Sequence, residues 1–174
     1  IGLDTEDVEK VHFGAQRERW EEVFVYIEGH KEIEDIVISG GDIANLRGDS
    51  ISYIGRRLID VPHIQRMRFA TKAPAVMPQK LLMDHEWRDS LIQLAIEGRK
   101  LGKEVALHTH FNHPNEITAL TKAGLEPFVH EGMVVRNQTV LQRDVNDEFD
   151  TMQRLIRRLG WIGVKPYYVF LHDM

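Results

Sequence analysis

The sequence predicts an α/β fold: about five parallel strands with intervening helices, forming part of a (β/α) barrel of the TIM type. Three observations lead there. Short apolar or alternating runs recur five times along the chain, and helix-length amphipathic stretches separate them. Strict alternation of this kind calls for parallel strands joined by helical crossovers. An open doubly wound sheet and a partial barrel both meet that pattern, and the polar residues choose between them. Ser39, Thr71, His110, Gln138 and Asp173 all fall at or just past predicted strand ends. Barrel enzymes build their sites at that rim, whereas an open sheet concentrates its site at one crevice.

The elements follow in order. From about Ala15 to Gly29, Trp20, Val23, Phe24 and Ile27 recur at helical spacing. Asp35 to Ser39 is a short β-branched run stopped by Gly40-Gly41, a buried-strand signal. Asp49 or Ser50 is placed to cap a helix running to about Ile59, and Pro62 ends that segment. Arg66 to Lys72 alternates Met67, Phe69 and Thr71 against polar neighbours, as a strand does. Pro74 and Pro78 predict a loop. A helix from about His85 to Leu101 is closed by Gly102, and Glu104 to His110 is the third strand. A helix begins near Asn115, after Pro114, with Gly124 at its end. Met133 to Thr139 is the fourth strand. Asn146 or Asp147 caps a helix to Leu159 and Gly160, and Val164 to Phe170 is the fifth strand.

Composition narrows the function. The chain has 174 residues, 43% of them hydrophobic, enough for one core, so residues 1–174 are expected to form a single domain. Its formal net charge of -5 offers no attraction for phosphate backbones or anionic lipid. Arg56, Arg57, Arg154, Arg157 and Arg158 are explained by solvated helix faces. No nucleic acid and no membrane is expected as a partner. With no cysteine there is no thiolate nucleophile, disulfide or zinc–cysteine site, and the chain by itself supplies no ligand for an iron–sulfur cluster. No apolar stretch reaches the roughly 18 residues of a membrane span. Ile1-Gly2-Leu3-Asp4 has no secretory pattern, and a cytoplasmic location is expected. There is no initiator Met, and the sequence stops just after a strand-like run, so an excerpt of a longer protein is expected. A part-barrel leaves two open sheet edges, which predicts marginal stability for the isolated segment.

Several short motifs could carry chemistry. Ser39-Gly40-Gly41-Asp42 lets the backbone turn sharply after a strand and approach a ligand closely; an ordinary turn is the alternative. Period-two geometry puts His108 and His110 on one strand face, where they could bind a divalent metal as in amidohydrolase-like barrels, or donate a hydrogen bond to a cofactor. Alternation points Arg136 and Gln138 one way and Asn137 the other; an amide suits ribose hydroxyls or an adenine edge, or else stabilises a strand end. Asp144 to Asp147 reads as a loop with a cap. Asp173 is suited to pairing with a substrate ammonium, or to a salt bridge with a base such as Lys165. There is no P-loop, dinucleotide fingerprint, nucleophile elbow or nucleophile–base pair.

The motifs gain meaning as a set. Ser39-Gly40-Gly41-Asp42, Ala73 to Gln79, Thr109 to Thr118, Asn137 to Leu141, Val145-Asn146-Asp147 and Pro166-Tyr167-Tyr168 occur in an order and spacing that resembles the radical S-adenosylmethionine (SAM) family of lysine 2,3-aminomutase-like enzymes, from about Asp35 to Met174. The resemblance implies an isomerase that moves an amino group from the α to the β carbon of a lysine-like amino acid. It implies three cofactors: SAM, a 4Fe–4S cluster held by a C-x3-C-x2-C motif, and pyridoxal phosphate (PLP). Ser39, Gly40, Gly41 and Asp42 match the loop that binds the SAM methionine; His110 and Gln138 match SAM contacts; Thr71 matches a small hydroxyl residue near the cofactors. Asp173 matches the acid that binds the distal ammonium of lysine, which favours a basic substrate.

The cluster cysteines are expected before Ile1 and the PLP lysine after Met174, so this segment is expected to carry no catalytic residue, to hold no metal and to be inactive alone. Relative to the family, the stretch between Pro78 and His108 is long, near Glu97-Gly98-Arg99-Lys100. The partner expected is a small-molecule amino acid, and a homo-oligomer is a possible assembly. Three rivals stand beside this reading: a metal hydrolase using His108 and His110, a related aminomutase that modifies a lysine on a translation elongation factor, and a non-catalytic relative.

Overall fold

In the computed structural model, residues 2–3, 10–11 and 17–171 are described. Gly2–Leu3 (β1) and Lys10–Val11 (β2) form a two-stranded antiparallel ribbon. Then follow α1 (Arg17–Gly29), β3 (Asp35–Ile38), a 3-10 turn (Ile43–Asn45), α2 (Gly48–Ile59) and β4 (Arg66–Ala70). After these come α3 (Ala73–Val76), α4 (Gln79–Met83), α5 (His85–Lys100) and β5 (Glu104–Thr109). A second 3-10 turn (Pro114–Glu116), α6 (Ala119–His130), β6 (Val134–Leu141), α7 (Phe149–Trp161) and β7 (Val164–Leu171) complete the chain.

The strands form one five-stranded parallel sheet in the order β3-β4-β5-β6-β7. Each strand pairs with its neighbour in sequence. A doubly wound sheet would reverse that order partway, and this one does not. The alternation predicts the partial barrel, and the sheet has its topology.

Strand periodicity then divides the side chains between two faces. Met67, Phe69, Val105, Leu107 and Val135 point to one side and join a buried core with Phe24, Ile51, Leu58, Leu91, Phe128 and Leu155 from the helices. The other face carries charge. Asp35 accepts from Arg66 Nε at 2.8 Å and from Arg68 Nε at 2.9 Å, while Arg136 makes a bidentate pair with Glu104 at 2.6 and 2.8 Å. A register shift between Asn137 and Gln138 pairs Asn137 with Pro166 but Gln138 with Tyr168. The extra residue is Tyr167, whose ring lies 5.3 Å from His108 and under the Arg136 guanidinium at 5.0 Å. Beyond Val164, β7 is exposed throughout.

Four local expectations are corrected. Pro74 and Pro78 do not make a loop: Pro74 sits in the first turn of α3 and Pro78 caps α4, positions where the fixed φ of proline suits a helix start. Gly124 does not end its helix. It lies inside α6, where a Cβ would stand 3.1 Å from Leu81 Cβ and 3.2 Å from the Pro78 carbonyl, so it permits close contact with α4. Neither Asp49 nor Ser50 caps α2, which starts at Gly48 after Arg47 without a side-chain cap. Neither Asn146 nor Asp147 caps α7, which starts after Glu148; Asn146 is bonded elsewhere.

Gly48 marks the tightest approach of a helix to the backbone of another. A Cβ there would lie 2.6 Å from the Glu86 carbonyl oxygen and 2.8 Å from its carbon, both backbone atoms at the start of α5. Backbone cannot rotate aside as a side chain can. Gly48→Ala is expected to destabilise the fold by about 1–3 kcal/mol, read as a lower thermal midpoint; an unchanged midpoint would mean that the α2–α5 junction is looser than it looks.

Candidate functional site

The site lies at the C-terminal rim of the sheet. Past Ile38 the chain runs through Gly40 (φ 118°), Gly41 (φ 70°) and Asp42 (φ 76°), three consecutive residues with positive φ. Nothing lies within 4 Å of a Cβ built on either glycine, so the turn itself requires them and the space beside them is open. Asp42 tolerates its conformation because both carboxylate oxygens are satisfied by backbone: Oδ1 accepts from Ala44 N and Oδ2 from Lys72 N, each at 2.8 Å. The second bond staples this loop to the end of β4. Asn45 Nδ2 donates to the Gly41 carbonyl at 2.8 Å, and Trp87 Nε1 donates to that of Ile43 at 3.0 Å.

A cleft of about 190 Å³ opens beside this loop, lined by Ser39, Gly40, Asp42, Ala70, Thr71, Lys72, His108, Thr109, His110 and Gln138. Ser39, Gly40, Asp42, Thr71, His110 and Gln138 were singled out from the sequence, and the fold brings them to one place. Gly41 forms the turn behind and does not line the cleft. The Thr71 hydroxyl accepts from Ala73 N at 3.0 Å, so it also starts α3. Asp173 lies outside the described residues.

His110 is held by a network the sequence reading did not find. Its Nε2 lies 3.0 Å from Asn112 Oδ1. That oxygen also accepts from Val140 N at 2.9 Å, while Asn112 Nδ2 reaches Gln142 Oε1 at 3.3 Å. Because the backbone amide fixes Oδ1 as acceptor, neutral His110 carries its proton on Nε2 and keeps a lone pair on Nδ1. Burial, followed by the Lys72 ammonium, pushes the His110 pKa below its usual value. Asn146 Nδ2 donates to the carbonyls of Asn112 and Val140 at 2.8 and 2.9 Å. Asn137 turns away from the cleft: its Oδ1 accepts from Phe111 N at 2.7 Å and its Nδ2 donates to Phe111 O at 3.0 Å. Of the two amides in Asn137-Gln138, one bolts the rim and the other faces the cleft.

His108 and His110 both line this cleft, yet no group of three or more His, Cys, Asp or Glu side chains converges anywhere among the described residues. The described residues thus supply two imidazoles and no third protein ligand converging with them. His108 is buried, and burial, Arg68 and Arg136 lower its pKa to about 4 against the smaller opposing effect of Asp35 and Glu104. The stretch at Glu97–Lys100 belongs to α5, where the Arg99 guanidinium donates to the carbonyls of Glu131 and Gly132 at 2.8 and 3.3 Å. It ties two helices together on the side away from the rim.

Lys72, Asn112 and the ion-paired layer escaped the sequence reading. The period-two pattern of β4 carried a signal for the last of these, since Arg66 and Arg68 alternate with buried Met67 and Phe69.

No protein-family model matches the chain. Individual proteins do. The chain is 34% identical over 149 residues to the L-lysine 2,3-aminomutase of Acetoanaerobium sticklandii, which covers 86% of this chain and 34% of that protein. It is 32% identical over 157 residues to the L-lysine 2,3-aminomutase of Clostridium subterminale, covering 90% and 35%. It is 34% identical over 145 residues to the glutamate 2,3-aminomutase of Clostridioides difficile, covering 83% and 32%. The chain thus spans about a third of the length of these relatives. Over most of its own length it is a homologue of proteins named L-lysine 2,3-aminomutase.

Proposed function

We propose that this chain is the cofactor-facing part of a radical SAM, PLP-dependent amino acid 2,3-aminomutase. It would be an isomerase that shifts an amino group from the α to the β carbon of lysine or a lysine-like substrate. The observation that carries this is the convergence of six motif residues on one cleft in a chain whose homologues are named lysine and glutamate 2,3-aminomutase. Residues 1–174 are read as one unit of a longer barrel.

The residues present suit the polar groups of SAM. The Ser39–Asp42 turn leaves open space beside two glycines for close backbone approach. The Nδ1 lone pair of His110 and the Gln138 amide can accept from and donate to adenine and ribose. Lys72 places a cation in the cleft, opposite in sign to an amino-acid carboxylate. The chain has no cysteine, so these residues do not hold an iron–sulfur cluster. When bound, SAM with its cluster supplies the hydrogen-abstracting radical, and PLP supplies the electron delocalisation that lets the amino group migrate. This chain's part is to bind, orient and shield. Asp173 is read as the group that selects a basic substrate.

The test uses the full-length protein, reduced and supplied with SAM and PLP, offered lysine first and glutamate as comparator. Formation of the β-amino isomer of lysine is expected. His110→Ala and Gln138→Ala should each weaken SAM binding by about tenfold, the order of one or two buried hydrogen bonds. Stoichiometric zinc that disappears in His108→Ala and His110→Ala, with no isomerisation of either amino acid, would replace this reading with the hydrolase.

A further inference from the structure

Two buried side-chain atoms of residues lining the cleft are left without a partner among the described residues, Thr109 Oγ1 and His108 Nε2, and only the second belongs to a ring that can present an N–H to an anion. His108 is 6% exposed, and its Nε2 is buried with no hydrogen-bond partner. A buried polar atom left unpaired is costly, and protein interiors pair more than nine in ten of them. The ring lines the cleft, and the bulge in β7 presses Tyr167 edge-on against it. By contrast, the part-buried His63 spends its Nε2 on the Ile27 carbonyl at 3.0 Å.

The charges around His108 select the partner. On this face Arg66 and Arg68 share the single carboxylate of Asp35, and Arg136 is matched by Glu104. Three guanidiniums against two carboxylates leave one positive charge unbalanced, while in the cleft wall the Lys72 ammonium is offset by the Asp42 carboxylate. Ala70, His108 and Arg136 stand opposite one another in register, so the ring lies between the cleft and this layer. A neutral imidazole in surplus positive potential is best completed by an acceptor that carries negative charge.

We propose that His108 Nε2, backed by the unbalanced guanidinium of the Arg66–Asp35–Arg68 cluster, is an oxyanion-binding position that receives a carboxylate or phosphate of the ligand in this cleft. The position extends the aminomutase reading, and rests on it only for which molecule brings the oxyanion. His108 is a positioning and specificity residue here: it contacts the anionic end of a ligand.

The experiment titrates the full-length protein, without SAM, with inorganic phosphate and separately with acetate. Binding is followed at the His108 ring nitrogens by long-range 1H–15N NMR on histidine-labelled protein. Saturable movement of the His108 ring signals is expected. His108→Leu should weaken that anion by about tenfold or more, and His108→Gln, which keeps a donor, by about threefold or less. Acetate binding the tighter assigns a substrate or methionine carboxylate; phosphate binding the tighter assigns a phosphorylated cofactor. Ring signals unmoved by either anion would overturn the proposal on wild-type protein alone, whatever the variants do. Equal anion affinity in folded His108→Leu would overturn it too. Anion binding in a protein that fails to bind SAM would sink the aminomutase reading and leave this site standing; SAM binding with an unmoved His108 would do the reverse.

Discussion

Acidification from about pH 6.5 toward 4 is expected to destabilise the fold before its carboxylates protonate, and His108 is the main reason. Its folded pKa is about 4 against an ordinary value of 6.5. Burial is the leading cause, and the Arg68 and Arg136 guanidiniums outweigh Asp35 and Glu104. Between the two values the unfolded chain binds this proton and the folded chain does not. Stability is therefore complete above about pH 6.5 and falls as pH drops, by on the order of 3 kcal/mol at pH 4. His110, lowered by burial and Lys72, adds in the same direction. Glu104 is held below its usual 4.5, chiefly by its bond to Arg136, so its contribution is complete above about pH 4.5 and fades as pH falls from there through its lowered folded value. Urea midpoints across this range should show a decline that is shallower in His108→Gln, which does not titrate. Parallel declines in the two proteins would mean that His108 is not the group responsible.

Trp87→Ala is expected to cost about 3–5 kcal/mol, the range for removing a fully buried aromatic side chain. Trp87 is 0% exposed, packs edge-on against Phe128 with ring centroids 6.3 Å apart, and donates to the Ile43 carbonyl. The two functions separate in Trp87→Phe, which keeps most of the bulk and loses the N–H. That variant should fold with a smaller loss of about 1–2 kcal/mol and show faster hydrogen exchange at Asn45 and Leu46, whose amides close the 3-10 turn behind the rim loop. Unaltered exchange at those amides would show that the loop stands without the indole.

The order of elements was legible because hydrophobic period and glycine or proline punctuation are local signals. β3 to β7 lie where alternation and β-branching put them, within two residues at each end. The residues that failed as caps show what is not local. Asn146 has the chemistry of a helix cap, but its amide is drawn instead to the Val140 carbonyl in β6 and to that of Asn112 in the loop after β5, which is distant in sequence. Gly124 looked like a helix end because a glycine that admits a neighbouring helix and one that terminates its own look alike in sequence. The rim residues Ser39, Thr71, His110 and Gln138 were visible because strand ends can be located. Lys72 and Asn112 were not, since nothing in one chain says that a lysine after Thr71 faces a histidine after Thr109. The charged layer was half visible: alternation marks Arg66 and Arg68 as facing away from the core, and only parallel register puts Asp35 beside them.

The bolts on His110 also set an order of assembly. Phe111 is fixed by the Asn137 side chain 26 positions later, and the Asn112 carbonyl by Asn146 34 positions later. Contacts of such separation form only after the chain between them has been closed into a loop. On the ribosome, β3, β4 and β5 can pair while His110 is still unanchored; the imidazole acquires its fixed proton only once Val140 has emerged to hold Asn112 Oδ1 as an acceptor. The binding rim thus matures after the first three strands of this sheet have paired, and a chain halted before Val140 would carry every motif up to Thr118 without a working cleft.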